Sequence, residues 1–157
     1  MGTALRAHAQ GKKVVFVYFD KGGAHYSEEK ILDDLGIEHH RYGLDRIDKV
    51  TNDFRFGTTE ADKEEGRLAL EKVQELFARG DVDVLVLDEV NCSVALEIIE
   101  EGEVLAVLKA KPAQLELIMA GRDAPQSFLD KADLVTEMKL IKHYFYQDEL
   151  ARFGLDY

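Results

Sequence analysis

The sequence contains little cysteine and little proline. Of its 157 residues, one is cysteine (Cys92) and two are proline. A single cysteine excludes an internal disulfide and a zinc site built from several thiolates. The chain also lacks a linker rich in proline or serine, an internal repeat and a low-complexity tract. We therefore predict one domain over residues 1–157.

Basic residues are outnumbered, and long apolar runs are missing. Lysine and arginine number 20 against 31 acidic residues, which gives a formal net charge of −11. That balance argues against non-specific binding to nucleic acid or anionic membranes, because both need a basic surface. A local pocket for an anionic ligand is still allowed. No apolar run approaches the length of a membrane span. We predict a cytoplasmic protein without a nucleic-acid or membrane partner.

What the sequence does have is a regular alternation of apolar runs and helical patterns. Strands are predicted over residues 13–19, 37–42, 83–88, 114–120 and 134–138, and helices over 3–10, 26–35, 60–79, 90–99, 103–109 and 125–131. Repeated strand–helix–strand units imply right-handed crossovers and a mainly parallel sheet flanked by helices. The predicted fold class is α/β. The acidic cluster at 60–65 is predicted to be a solvated helix face.

The most informative stretch is DVLVLDE, residues 83–89. Valine and leucine without polar alternation predict a strand buried on both faces. Ligands of parallel sheets bind at the carboxyl ends of the strands, where Asp88 and Glu89 fall. Two carboxylates there suit a Mg²⁺ that carries nucleotide phosphates, as in a Walker B element. The alternative is a strand that ends at a charged turn, with Asp88 capping the next helix and Glu89 in solvent.

One segment, residues 43–59, has no periodic pattern but contains Phe54-Arg55-Phe56. A loop of this length in a compact domain is usually functional or disordered. Two aromatic residues near its end favour a functional loop. Ordinary packing of the aromatic side chains against the core is the alternative.

Several segments together carry a family resemblance. They are GTALRAHAQGKKVVFVYFDKG, VLVLDE, IMAGR and FLDKADLVTEMKLIKHYF, and the sequence ends in GLDY. In this order and spacing, the chain resembles the CobA-type corrinoid adenosyltransferases, which are ATP:cob(I)alamin adenosyltransferases of the P-loop NTPase (RecA-like) fold. The resemblance covers residues 2–157.

The resemblance implies an activity and its ligands. The activity is transfer of the 5′-deoxyadenosyl group from ATP to cob(I)alamin or a related corrinoid, with release of triphosphate, in adenosylcobalamin synthesis or salvage. The ligands are ATP, Mg²⁺ and the corrinoid. The resemblance also implies a homodimer and a reductase partner such as a flavodoxin.

Roles for particular residues follow from the resemblance. Glu89 matches the family's metal-binding glutamate, with Asp88 beside it. Phe54 and Phe56 match an aromatic pair, F-x-W, that packs under the corrin and displaces its lower axial ligand. Here the second aromatic residue is phenylalanine, which has less area than tryptophan and no N–H. The spacing from this pair to Asp62 is also shorter than in the family.

Three further residues are candidates for ligand binding. Gly121 and Arg122 match a Gly-Arg pair of the family. Gly121 would allow close approach, and Arg122 is suited to pairing with a phosphate, with a surface salt bridge as the alternative. Lys21 ends the first predicted strand and is a candidate to reach the nucleotide or the corrin.

The sequence departs from the family at its beginning. In the family, the segment that resembles GTALRA follows a strand and a phosphate-binding loop, G-x-x-x-x-G-K-[ST]. This sequence contains no such motif, and its only Gly-Lys pair is Gly11-Lys12. We therefore expect a fold without the first strand and the Walker A loop, with unpaired edges on neighbouring strands. Met1 would be internal to a longer natural chain, and residues 1–157 alone would be impaired. The alternative is a P-loop-less remnant that binds a corrinoid or a partner without catalysis.

Overall fold

A computed structural model of the protein describes residues 1–23, 26–47, 55–149 and 152. The strands are β1 (Val14–Tyr18), β2 (Glu38–Arg41), β3 (Val84–Asp88) and β4 (Glu116–Met119). The helices are α1 (Gly2–Ala9), α2 (Glu28–Asp34), α3 (Glu60–Arg79), α4 (Val90–Ala95), α5 (Glu101–Leu108) and α6 (Gln126–Leu129), and a 3₁₀-helix spans Tyr144–Gln147.

The strands form one parallel sheet in the order β2-β1-β3-β4. In this register Tyr18 lies opposite Asp88, so the carboxyl ends of β1 and β3 are level. All five residues of β1 are buried, because this strand is central and covered on both faces. The predicted α/β fold class is confirmed, and the architecture is consistent with a P-loop NTPase-like fold.

Alternate residues of the central strands supply two apolar layers, because successive side chains of a strand point to opposite faces. One layer contains Val15, Val17, Leu85, Leu87, Val73, Leu76 and Phe128. The other contains Val14, Phe16, Tyr18, Val86, Ala4, Leu32 and Ile37. Helix α3 lies on the first face, and α1 and α2 lie on the second. Because helices cover both faces of the sheet, the strands reach the surface of the protein mainly at their ends.

Helix α3 has a defined beginning and end. It begins with a capping box in which Thr59 and Asp62 satisfy each other's backbone N–H groups, and it ends at Gly80, which has φ +73°. Inside the helix, a Cβ atom at Gly66 would lie 2.5 Å from Cγ2 of Ile99. A glycine in mid-helix is therefore explained by the close approach of the segment after α4.

The structure does not form the last predicted strand, residues 134–138. This segment has no regular secondary structure, and Leu134 and Met138 are 85% and 94% exposed. A strand needs a neighbour for its backbone groups, and none of the described strands pairs with this segment. Within the described residues, β2 pairs only with β1 and β4 only with β3, so each of these edge strands has one unpaired side. The helix predicted over 90–99 is shorter and ends at Ala95.

Candidate functional site

A cleft of about 490 Å³ opens at the carboxyl end of the sheet. Its lining includes Asp20, Lys21, Tyr26, Arg46, Phe56, Glu89, Cys92 and Arg122. Of the residues proposed from the sequence, the structure thus brings Lys21, Phe56, Glu89 and Arg122 together. Another cleft, of about 310 Å³, lies beside the amino ends of β1 and β2 and contains none of them. The carboxyl end is where parallel sheets bind ligands.

Lys21 and Asp88 form an ion pair beside the cleft. Nζ of Lys21 lies 2.7 Å from Oδ2 of Asp88 and 3.0 Å from Oε1 of Glu28. The same ammonium group lies 4.9 and 5.0 Å from the ring centroids of Tyr18 and Tyr26. Burial opposes its charge, but the bonds to Asp88 and Glu28 prevail, and the pKa of Lys21 is raised. Asp88 is therefore compensated by a lysine and is not among the residues that line the cleft.

Glu89 occupies a special backbone position directly after β3. It has φ +60°, which is strained for a residue with a side chain, and it is the N-cap residue of α4. Its side chain makes no capping hydrogen bond, while its carbonyl oxygen accepts bonds from the backbone N and Oγ of Ser93. Glu89 and Cys92 both line the cleft. Burial raises the pKa of the Cys92 thiol, and the hydrogen bond to Glu89 adds to this.

Gly121 lies where the end of β4 meets the start of α4. It has φ +132°, and a Cβ atom there would lie 3.1 Å from both Cβ of Asn91 and the backbone N of Cys92. Asn91 donates from Nδ2 to the Gly121 carbonyl at 3.3 Å. Among the described residues, it is the close approach of α4 that leaves little room for a side chain at residue 121. Next to it, the backbone N–H of Arg122 donates to Sγ of Cys92 at 3.2 Å, and Arg122 lines the cleft.

Phe56 stands at the cleft with 86% of its surface exposed. The preceding residue, Arg55, donates to both carboxylate oxygens of Asp62, at 2.8 and 2.6 Å. Asp62 is only 1% exposed and also accepts bonds from Thr59. Arg55 and Thr59 hold the pKa of Asp62 well below its usual range. The predicted solvated face is therefore wrong at Asp62. Phe54 lies outside the described residues.

One pair at this site, Asp20 and Arg46, was not predicted from the sequence. Nε of Arg46 donates to both carboxylate oxygens of Asp20, at 2.9 and 3.0 Å, and both side chains are only 10% exposed. Burial raises the pKa of Asp20 although Arg46 opposes this. Asp20 closely follows a buried strand, as Glu89 does, and that signal was available. Nothing in the sequence identified Arg46.

The described residues contain no group of three or more histidine, cysteine, aspartate or glutamate side chains placed to hold a metal ion. A Mg²⁺ that arrives on nucleotide phosphates needs only one or two carboxylates from the protein. Glu89 is the predicted metal ligand that lines the cleft, so it fits that limited role.

The profile of the ATP:corrinoid adenosyltransferase family BtuR/CobO/CobP matches residues 1–157. The chain belongs to this family of transferases. The predicted resemblance is therefore confirmed, and the cleft at the carboxyl end of the sheet is the candidate site for the family's ATP and corrinoid substrates.

Named relatives agree with the family assignment. A corrinoid adenosyltransferase of Escherichia coli K12 is 31% identical over 158 residues, which cover 99% of this chain and 76% of the relative. The Salmonella typhimurium corrinoid adenosyltransferase CobA is 32% identical with the same coverage. A Pseudomonas aeruginosa corrinoid adenosyltransferase is 31% identical over 160 residues, 99% of this chain and 75% of the relative. In the part of the chain that the structure describes, no helix combines the length and apolarity needed to cross a bilayer.

Proposed function

We propose that the cleft binds a corrinoid together with ATP, and that the chain takes part in transfer of the 5′-deoxyadenosyl group to cob(I)alamin or a related corrinoid. The reaction would serve adenosylcobalamin synthesis or salvage. The observation that carries the proposal is that Phe56 and Glu89 line one cleft. An exposed aromatic ring suits the apolar face of a corrin, and a carboxylate suits a metal-bound triphosphate.

The chemistry requires no nucleophile from the protein. Cobalt of cob(I)alamin attacks C5′ of ATP, the C5′–O bond breaks, and triphosphate leaves with the bonding electron pair. The tasks left to the protein are alignment of the reactants and stabilisation of the leaving group. In this proposal Phe54 and Phe56 pack under the corrin, displace its lower axial ligand and keep water from that face.

In this proposal other residues of the cleft hold the triphosphate. Glu89 is the proposed Mg²⁺ ligand, and Asp88 acts through water because Lys21 already neutralises it. Arg122 pairs with phosphate oxygens, and Gly121 brings Arg122 to the cleft by letting α4 pack against the end of β4. When the nucleotide is absent, the positive charge of Lys21 offsets the negative charge of Asp88.

Residues 1–157 contain no G-x-x-x-x-G-K-[ST] motif. Such a loop presents backbone N–H groups, a lysine and a hydroxyl to the phosphates at a helix N-terminus. We therefore propose that full activity needs a strand and loop of this kind added to residues 1–157. The same observation favours a second candidate function, a corrinoid- or partner-binding module that does not catalyse transfer.

We also propose the remaining properties that the resemblance implied. They are a homodimer, a reductase such as a flavodoxin that delivers the electron to Co(II), and a cytoplasmic location. The unpaired edge of β4 gives a physical reason for association.

One assay series tests the proposal. Adenosylcobalamin formation from ATP, Mg²⁺ and cob(I)alamin is followed for residues 1–157 alone and for a version with the strand and loop restored. We expect little product from the first and clear turnover from the second. In the restored protein, Glu89→Gln should lower turnover by about 100-fold. Asp81→Asn, at the other end of the sheet, should leave it unchanged.

Each result bears on a different part of the proposal. Full activity of residues 1–157 alone would show that the loop is dispensable. An unchanged rate in Glu89→Gln would remove the metal role of that residue. Corrinoid binding without turnover in the restored protein would favour the binding module, and no corrinoid binding in either version would exclude both functions.

A further inference from the structure

The backbone around Phe56 is fastened on both sides of that residue. Before it, Arg55 donates two hydrogen bonds to Asp62, and its backbone N–H donates to the Arg46 carbonyl at 2.7 Å. After it, the Gly57 carbonyl accepts a bond from Nη1 of Arg46 at 2.8 Å. Because the Phe56 side chain is 86% exposed, burial in the core does not fix it. The fastened backbone at residues 55 and 57 therefore contributes to where the ring stands at the cleft.

Arg46 connects this backbone to the sheet. One guanidinium group binds Asp20, two residues after β1, through Nε and the Gly57 carbonyl through Nη1. Both side chains of the ion pair are 10% exposed, so water competes little for these bonds. A planar guanidinium holds the two acceptors at a fixed angle, which the single ammonium group of lysine cannot do.

The position of Arg46 is not optimal for stability. Its Nη2 is buried and has no hydrogen-bond partner among the residues that the structure describes. A buried N–H group without a partner costs about 1–3 kcal/mol. A buried ion pair is also often no more stabilising than apolar residues of the same volume. A buried arginine at position 46 is therefore better explained by the geometry that it imposes on the backbone at Gly57 than by a contribution to the stability of the fold.

We propose that Arg46 is a positioning residue, which sets where the Phe56 ring stands over the cleft by tying Gly57 to Asp20. The effect on corrinoid binding rests on the function proposed above, whereas the effect on the ring does not. An aromatic side chain held in place before the ligand arrives loses less conformational entropy on binding. Arg46 would therefore strengthen binding without touching the corrin.

The absence of tryptophan from the sequence makes residue 56 directly observable. A Phe56→Trp variant carries a single tryptophan at the cleft. Arg46→Lys in this background keeps the charge and removes the planar fork. Arg79→Lys is the matched control, because Arg79 binds both carboxylate oxygens of Glu38, at 2.7 and 2.8 Å, and does not line this cleft.

Two measurements distinguish a specific loss of positioning at residue 56 from a general increase in the mobility of the protein. Without ligand, we expect Arg46→Lys to lower the fluorescence anisotropy of the introduced tryptophan and to increase its quenching by acrylamide, whereas Arg79→Lys changes neither. With added cobalamin as the quencher, Arg46→Lys should raise the Kd for cobalamin about tenfold, which corresponds to ~1.4 kcal/mol of binding free energy. Circular dichroism checks that each variant is folded.

The outcomes are distinct. Equal anisotropy and acrylamide quenching in Arg46→Lys and its parent would overturn the proposal, as would equal changes in Arg46→Lys and Arg79→Lys. A mobile tryptophan in Arg46→Lys, with no cobalamin quenching in any variant, would support positioning and contradict the proposed function. If Arg46→Lys does not fold, Asp20→Asn replaces it. This variant removes the charge that Arg46 binds, and it must loosen the tryptophan for the proposal to stand.

Discussion

The two ends of the sheet carry ion pairs of the same chemistry in different surroundings. At the carboxyl end, Asp20 and Arg46 are 10% exposed and Asp62 is 1% exposed. At the amino end, Lys13 and Asp81 pair with side chains that are 45% and 44% exposed. Exposed pairs contribute little because water screens them, whereas a buried charge without its partner is costly. Charge at the carboxyl end therefore fixes the backbone around the cleft, and charge at the amino end has much less structural effect.

The largest effect expected from this difference is that of Asp62→Ala. The substitution leaves Arg55 without its partner and removes the cap of α3. We expect a loss of about 2–4 kcal/mol in the free energy of unfolding, because the helix cap and the hydrogen bonds to a charged group are lost together. Urea unfolding followed by circular dichroism measures it. Asp81→Ala is the control at the amino end, and equal losses in the two variants would show that burial does not distinguish the ends.

Two glycines sharpen the same comparison with a smaller effect. Gly121, at the carboxyl end, has φ +132° and lies against α4, whereas Gly11, at the amino end, has φ +79° and open space around it. In Gly11→Ala the only strain is that of an alanine in the left-handed backbone region, so the free energy of unfolding should fall by about 1 kcal/mol. Gly121→Ala adds a steric clash and should cost about 2–3 kcal/mol. Thermal unfolding measures both, and a lower Tm for Gly11→Ala would contradict the expected order.

The smallest effect is a difference in acid sensitivity between Asp62 and Glu38. Arg79 lowers the pKa of Glu38 from 4.5 to about 2, and Arg55 lowers the pKa of Asp62 below its usual 3.8. A lowered carboxyl pKa stabilises the fold above the unfolded-state pKa, and this stabilisation is lost as the pH falls through the folded-state pKa. The stability advantage of the parent over Glu38→Gln should therefore decline between pH 4.5 and about 2. The advantage over Asp62→Asn should begin to decline only below pH 3.8.

Unfolding free energies measured across this pH range test the expectation. A constant difference between the parent and Glu38→Gln down to pH 2 would show that the ion pair with Arg79 does not carry the shift. A decline for Asp62→Asn that begins above pH 4.5 would contradict the lowered pKa of Asp62.

The sequence predicted those features that depend on local pattern. β1 and β3 are recognisable because strands covered on both faces are uninterrupted in apolar residues. Lys21 and Glu89 were found because each closely follows such a strand, which places them at one end of a parallel sheet. Arg122 was found because it matches a Gly-Arg pair of the family. The fold class and the end of the sheet where the cleft lies therefore follow from strand pattern.

The errors concern features that depend on distant neighbours. Residues 134–138 have a strand-like pattern, but pattern does not supply the adjacent strand that a ladder requires. Asp62 resembles its solvated neighbours on α3, and only the fold of the loop brings Arg55 to it. Arg46 and Asp20 are 26 residues apart, and no local rule connects them.

The edge of β4, which no strand of the described part of the chain pairs with on its outer side, has a practical consequence for work in solution. A parallel edge of this kind is a template for further strands, and apolar side chains such as Leu134 and Met138 increase the tendency to adhere. We expect residues 1–157 to form concentration-dependent aggregates, so that apparent ligand affinities drift as the protein is concentrated. Titrations repeated across a wide range of dilution would separate that drift from true differences among variants.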